Sequence, residues 1–193
     1  MDTPWSYLLP ADAAAPVHAR LTALQDHRGG HDILLHAGRV ATQAARLGLA
    51  LRLPTSVIEE AILVGWLHEV AADPDGTTET TAVLAAEHAL RPLPGLLAVS
   101  RSVRCLTERW DGRGGPDGLW ETQIPLATRI VAVADGLDRL LHGCPERGAV
   151  ASYVAADWLR RESGRHFDPV IADVALAMLV TPADLAGSGA GLA

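Results

Sequence analysis

HDILLHAGRVATQAARLG, His31 to Gly48, is the stretch that decides the fold. Its apolar positions Leu34, Leu35, Val40, Ala44 and Leu47 recur at three- and four-residue intervals, the period that gathers side chains onto one face of an α-helix. Gly48 marks the expected end of that helix. Downstream, Pro54-Thr55-Ser56 followed by Glu59 has the form of a capping box, with Ser56 accepting from the helix start and Glu59 reaching back. Ile58, Ile62 and the Leu63 to Leu67 region then give this second helix a strongly apolar body as far as Val70. Thr77 or Thr78 caps a third helix through Leu90, and Pro94-Gly95 opens a fourth that runs to about Arg109. Ile124 to Leu141 is a fifth, stopped by Gly143, and Glu146 to Ser163 a sixth, stopped by Gly164. Asp168 caps a seventh with Pro169 at its first position. No segment reads as a strand. The expected architecture is all-α, a single bundle of about seven or eight helices over residues 31–180. An N-terminal extension, 1–30, has room for one helix around Val17 to Gln25, and 181–193 reads as a flexible tail.

The 193 residues carry a formal charge of −7, and the acidic balance argues against a nucleic-acid polymer or an anionic membrane as partner. All 16 basic residues are arginine. Cys105 and Cys144 lack the close pairing of zinc ribbons and redox motifs, so a reducing cytoplasm is the expected location. The opening MDTPWSYLLP is acidic and prolyl where a leader would be basic and then apolar, and no run of about 18 apolar residues follows.

Three places carry groups that can do chemistry. His68 and Glu69, in WLHE at the end of the second long helix, point about 100° apart on a helix. Near its terminus both can turn toward one pocket and offer a metal a nitrogen and an oxygen, and a half-buried, satisfied pair is the alternative. Asp135 sits inside the apolar run IVAVADGLDRLL, where a carboxylate must be paired, metal-bound or pushed toward its neutral form. A nearby arginine is the competing partner, and Asp138 reads as solvated beside Arg139. The third is the loop ERWDGRGGPDGL, Glu108 to Leu119. In it, Gly114 and Gly115 permit positive φ, Pro116 stiffens the turn, Asp111 and Asp117 accept from backbone amides, and Trp110 anchors the loop to the body. Arg101, Arg104, Arg109 and Arg113, with Asp111, form a candidate phosphate-binding set. The simpler alternative is a solvated face with Arg104 paired to Glu108 at i,i+4.

In order and spacing the chain resembles the HD-GYP branch of the HD phosphohydrolase superfamily. The residues that carry the likeness are His36-Ala-Gly-Arg39-Val40, Leu67-His68-Glu69, Glu108-Arg-Trp-Asp111-Gly112-Arg-Gly114-Gly115-Pro116-Asp117-Gly118, Ile124-Pro125, Ala132-Val133-Ala134-Asp135 and Gly164-Arg-His-Phe167-Asp168-Pro169. The resemblance runs from about His36 to Met178. It implies an HD-domain helical bundle that binds two or three iron or manganese ions and hydrolyses cyclic di-GMP or related cyclic dinucleotides. On it, His68 matches the histidine of the HD pair, Glu69 its aspartate and Asp135 the later metal-binding aspartate. Other family positions are changed. The paired histidines fall on Leu106 and Thr107, a further ligand histidine falls near Thr81 or Ala82, the lysine falls on Ala72 and the tyrosine of GYP on Gly115.

The reduced donor set predicts no bound cofactor, or at most a single iron or manganese ion on His68, Glu69 and Asp135. The function expected is that of a degenerate HD-GYP-like domain without di-metal phosphodiesterase activity. It would serve as a regulatory module that takes a small-molecule or nucleotide ligand, or a protein partner through the 110–119 loop. Two alternatives stand beside it. One is a metal-dependent phosphohydrolase with a reduced site, with His36 nearby. The other is a metal-free enzyme using His68 and Glu69 as acid and base.

Overall fold

The structure, a computed structural model, describes residues 6–25, 30–71, 78–143 and 148–179. Among them are eight α-helices: α1 (Ala11–Gln25), α2 (Gly30–Ala50), α3 (Thr55–Leu67), α4 (Glu79–Leu90), α5 (Leu97–Arg104), α6 (Leu126–His142), α7 (Ser152–Glu162) and α8 (Pro169–Leu179). Short 3-10 turns lie at Ser6–Leu8, Cys105–Thr107 and Glu121–Gln123. The all-α expectation holds, and the one bridge of β type among the described residues is an isolated pairing of Ser163 with Phe167.

Helices α2, α3 and α6 form the centre of the bundle, each packed on the other two. The apolar period of α2 is what buries Val40, Ala44 and Leu47, while α3 is apolar on most faces and buries Ala61, Leu63, Val64, Gly65 and Leu67. Gly65 fixes how closely the two meet. A Cβ there would stand 2.7 Å from the Ala41 Cα, so a side chain would force α3 away from α2. That close crossing brings the end of α3 alongside His36 on α2. Helix α1 buries Ala13, Val17 and Leu21, with Leu9 just before it, a residue every fourth position, in the same core.

Several boundaries differ from the sequence reading, each for a local reason. Helix α2 passes through Gly48 to Ala50, because the glycine serves packing: a Cβ on it would lie 2.8 Å from the Ile58 side chain. The capping box is not formed. The Pro54 carbonyl already accepts from Val57 and Ile58, which puts Thr55 and Ser56 inside the first turn with no side-chain cap. The α3 helix also stops at Leu67, before Val70. Thr78 is the N-cap of α4 and accepts from the Thr81 amide. The fourth helix is shorter than expected: Gly95 takes φ 74°, α5 starts at Leu97, and after Arg104 the chain tightens into the 3-10 turn before Glu108 turns away as extended backbone. Helix α7 begins at Ser152 rather than Glu146. Residues 148–151 are not helical, and the Val150 amide donates to the Leu140 carbonyl at 2.9 Å. Gly143 and Gly164 follow the ends of α6 and α7 with positive φ, and Asp168 accepts from the Val170 amide at the start of α8 as expected. The 181–193 tail lies outside the described residues, as do Ala72 and Glu146.

Candidate metal centre

His68 is the residue at which α3 ends; its amide still donates to the Val64 carbonyl, and its ring folds back so that Nδ1 lies 2.8 Å from the Gly65 carbonyl. A carbonyl can only accept, so Nδ1 donates to it and Nε2 is left facing the cluster. His36, on α2, is fixed in the same manner from another direction: its Nδ1 lies 2.7 Å from Asp138 Oδ2 on α6. The two rings meet edge to face at 5.4 Å between centroids. Both Nε2 atoms are buried, and that of His68 has no hydrogen-bond partner.

Two carboxylates face these nitrogens. Asp135 Oδ1 lies 2.9 Å from His36 Nε2, an ion-pair distance, and 3.8 Å from His68 Nε2. Glu69 Oε1 lies 4.0 Å from His68 Nε2, and the donor atoms of His36, His68 and Glu69 all fall within 4.8 Å of one another. The end of α3 thus lets the adjacent His68 and Glu69 face one space, as the sequence reading expected. His36 is the donor that reading left at the margin. Its signal was the helical register of α2: the apolar face buries Val40 and Ala44, and His36 stands one turn before Val40 on the same face.

Asp138 and Arg139 were also misread. Asp138 is 5% exposed, not solvated, and accepts from Arg39 Nε and Nη2 at 2.7 and 2.9 Å, with His36 at 2.7 Å and His142 Nδ1 at 2.8 Å. Asp135, Asp138 and His142 repeat at three- and four-residue spacing, so α6 carries them along one face. Arg139 turns to the cluster: its Nη2 donates to Glu69 Oε1 at 2.9 Å and its Nε reaches Asp135 Oδ1 and Oδ2 at 3.0 and 3.1 Å. The arginine foreseen as a partner of Asp135 is therefore present, and His36 is a second partner that the sequence reading did not name. Burial alone would depress the His36 pKa, but contacts with Asp135 and Asp138 and the charge of Glu69 push it up to about 9. Burial opposes ionisation of Asp135, and His36, Arg139 and His68 more than reverse it, holding this carboxyl well below the usual range.

The cluster fits a divalent metal ion. Metal-bound imidazoles characteristically donate their other nitrogen to a carboxylate or a backbone carbonyl, and His36 and His68 do one each. Two imidazoles with carboxylates suit iron, manganese or zinc. His36, which the expected ligand set lacked, brings the donors to four side chains. Leu106 and Thr107 do supply nothing to it: Leu106 packs against the core and the Thr107 hydroxyl donates to the Gly115 carbonyl at 2.8 Å.

The arginine set does not gather into a site. Arg104 forks onto Asp117 at 2.8 and 2.7 Å rather than pairing with Glu108, and Arg109 forks onto Asp111 at 3.1 Å through both nitrogens. Arg101 and Arg113 are exposed. No hydrogen bond or ion pair among the described residues joins these five side chains to His68, Glu69 or Asp135. The loop is organised by Glu108, 3% exposed, whose two oxygens accept from the Asp117 amide at 2.6 Å and the Leu119 amide at 3.1 Å. Asp111 accepts from the Arg113 amide as expected, and hydrogen bonding from Arg109 holds its carboxyl at about 2 against the effect of burial. Trp110 anchors the loop through its amide to the His166 carbonyl and through Arg129 over its ring at 5.8 Å. Positive φ falls on Gly112 and Gly118, not on Gly114 and Gly115; Gly114 is required because a Cβ there would run into the backbone of Glu108 and Arg109.

Residues 37–171 match the family model described as an HD domain. A cyclic di-GMP phosphodiesterase response regulator of Xanthomonas campestris is 48% identical over 69 residues, which is 36% of this chain and 18% of that protein. A cyclic di-GMP phosphodiesterase of Pseudomonas aeruginosa is 30% identical over 158 residues, 71% of this chain and 37% of the relative. The chain thus spans less than two-fifths of either curated relative. The crystal structure of a cyclic GMP-AMP-specific phosphodiesterase of Vibrio cholerae superposes with a TM-score of 0.63 at 17% identity, covering 97% of this chain and 51% of that one, a likeness of fold. No helix among the described residues is long and apolar enough to cross a membrane. With the family match spanning most of its length and the histidines and carboxylates of α2, α3 and α6 converging at its centre, this chain belongs to the HD-domain family.

Proposed function

We propose that the chain is a one-cation HD domain acting on a phosphoester, of the nucleotide or cyclic dinucleotide class named for its relatives. The observation that carries this reading is the pair of imidazoles, each tied at Nδ1 and each aiming a buried Nε2 at the space beside Glu69 and Asp135, with the Nε2 of His68 left without a hydrogen-bond partner. Leaving the His68 nitrogen unsatisfied costs about 1–3 kcal/mol unless something binds it. His36, His68, Glu69 and Asp135 would hold the ion, Asp138 and the Gly65 carbonyl would keep the rings aimed, and a second ion has no comparable donor set at 106–107. Bound there, a divalent cation supplies Lewis acidity toward a phosphoryl oxygen and makes water more acidic.

A second reading is favoured by a different observation. Arg139 already pairs with both Glu69 and Asp135, an arrangement that suits a metal-free regulatory or ligand-binding module. Elemental analysis of chelator-free protein, produced with iron and manganese supplied, separates the two. The one-cation reading expects near one transition metal per chain, lost in His68→Ala. Metal-free protein that also fails to take up added Mn²⁺, Fe²⁺ or Zn²⁺ would leave the regulatory reading standing.

A further inference from the structure

We propose that the Arg139 guanidinium is an internal cation that competes with a divalent metal for Glu69 and Asp135, so that this arginine sets how tightly the centre holds its ion. The inference rests on the one-cation reading and adds to it a residue that works against the metal.

The competition is over particular atoms. Asp135 Oδ1 is the oxygen nearest both imidazoles, 2.9 Å from His36 Nε2 and 3.8 Å from His68 Nε2, and the same oxygen accepts from Arg139 Nε at 3.0 Å. Glu69 Oε1 lies 4.0 Å from His68 Nε2 and accepts from Arg139 Nη2 at 2.9 Å. The two oxygens that face the imidazole-lined space are thus the two that the guanidinium holds. Arginine keeps its charge at any pH a folded protein meets, and its planar fork loses little freedom in spanning two carboxylates. A metal ion entering beside it faces a fixed positive charge and acceptors already engaged, in a half-buried setting where charge interactions are stronger than in water.

The geometry holds the arginine in that role. Arg139 stands one turn after Asp135 on α6, so a rigid helix carries both, and Glu69 reaches the fork from the end of α3. Asp138, the other carboxylate on that stretch of helix, is already engaged by Arg39, His36 and His142, which leaves it no oxygen facing Arg139. Two carboxylates share one guanidinium, and a divalent ion can reach them only by sharing or displacing it.

The test is Mn²⁺ binding by calorimetry on the full chain, for wild type, Arg139→Gln, Arg139→Lys and the ligand variant His68→Ala. Arg139→Gln is expected to bind Mn²⁺ at least tenfold more tightly than wild type. Arg139→Lys, which keeps a charge but loses the fork, is expected to fall between them and guards against a glutamine variant that does not fold. Far-UV circular dichroism checks each protein. Equal affinities in wild type and both arginine variants, with binding lost in His68→Ala, would overturn the role of Arg139 and leave the one-cation reading intact. Binding in Arg139→Gln with none in wild type would support the competition and refute a resident metal in the native protein. Absence of binding in every variant would sink both ideas.

Discussion

Two polar regions of this molecule, the His36–His68–Asp135 cluster and the 108–119 loop, differ in how their hydrogen bonds close. In the loop the polar groups that organise it answer one another. Glu108 takes two amides, Asp111 takes Arg109 and an amide, Asp117 takes Arg104, and Thr107 and Gly115 bond both ways. In the cluster the outer positions are equally well satisfied, at Asp138 and at the Gly65 carbonyl, but the inner Nε2 of His68 is not. The loop has the richer motif and the cluster has the open valence. A run of glycine, aspartate and proline signals a backbone that needs special handling, whereas buried nitrogens left without a partner signal a ligand.

The sharpest way to break this contrast is Asp138→Ala. This carboxylate is buried and serves His36, Arg39 and His142 together. Its removal strands a half-exposed guanidinium and a buried imidazole, for an expected loss of about 3 kcal/mol in urea denaturation. It also frees His36 to rotate or change tautomer, so metal affinity is expected to fall by roughly 10–100-fold. An unchanged affinity would mean that His36 is not held for a metal. Glu108→Ala is the matching change in the loop. Two amides lose their acceptor, water can replace part of what is lost near the surface, and the expected cost is about 2 kcal/mol. Here metal affinity should stay within about twofold of wild type. A large drop would join the loop to the centre and erase the distinction drawn between them.

How much of this could be read in the sequence follows the same divide. The helices of the core were legible because their apolar residues recur at a fixed period: Val40, Ala44 and Leu47 had to share a face, and they are buried together. His68, Glu69 and Asp135 were legible as a group through the family resemblance, with Asp135 further marked by its apolar surroundings. Asp138 and Arg139 were not, because adjacent charges on a helix look like a solvated pair until the neighbouring helix is known. Here α2 covers Asp138 with His36 and Arg39, and the end of α3 offers Glu69 to Arg139. The capping box failed for a related reason. Its residue types were right, but Pro54 had already moved the start of the helix. Gly114 was rightly singled out and wrongly explained, since close approach of backbone and positive φ both select glycine and leave the same letter in the sequence.

The smallest expected effect concerns the hinge between α5 and the loop. Cys105 is buried and free, the Glu108 amide donates to its carbonyl at 3.0 Å, and its thiol feels the charges of Asp117 and Glu108. Burial, then the negative charges of Asp117 and Glu108, push the thiol from 9.0 up to about 11. Two units leave about 100-fold less thiolate at pH 8 than an exposed cysteine would have. In a Cys144→Ser background, an aromatic disulfide reagent at pH 8 should therefore label Cys105 slowly in native protein and rapidly in urea. Because the folded pKa lies above the unfolded one, the group's contribution to stability is intact below pH 9 and is lost as pH climbs through 11. Glu108→Ala should speed the labelling without unfolding the chain, since it removes the acceptor that closes the adjoining loop and one of the charges that raise the thiol. If native protein reacts as fast as the unfolded chain, the loop opens readily at its base, and its closed set of hydrogen bonds is a weaker constraint than the partners of Glu108 imply.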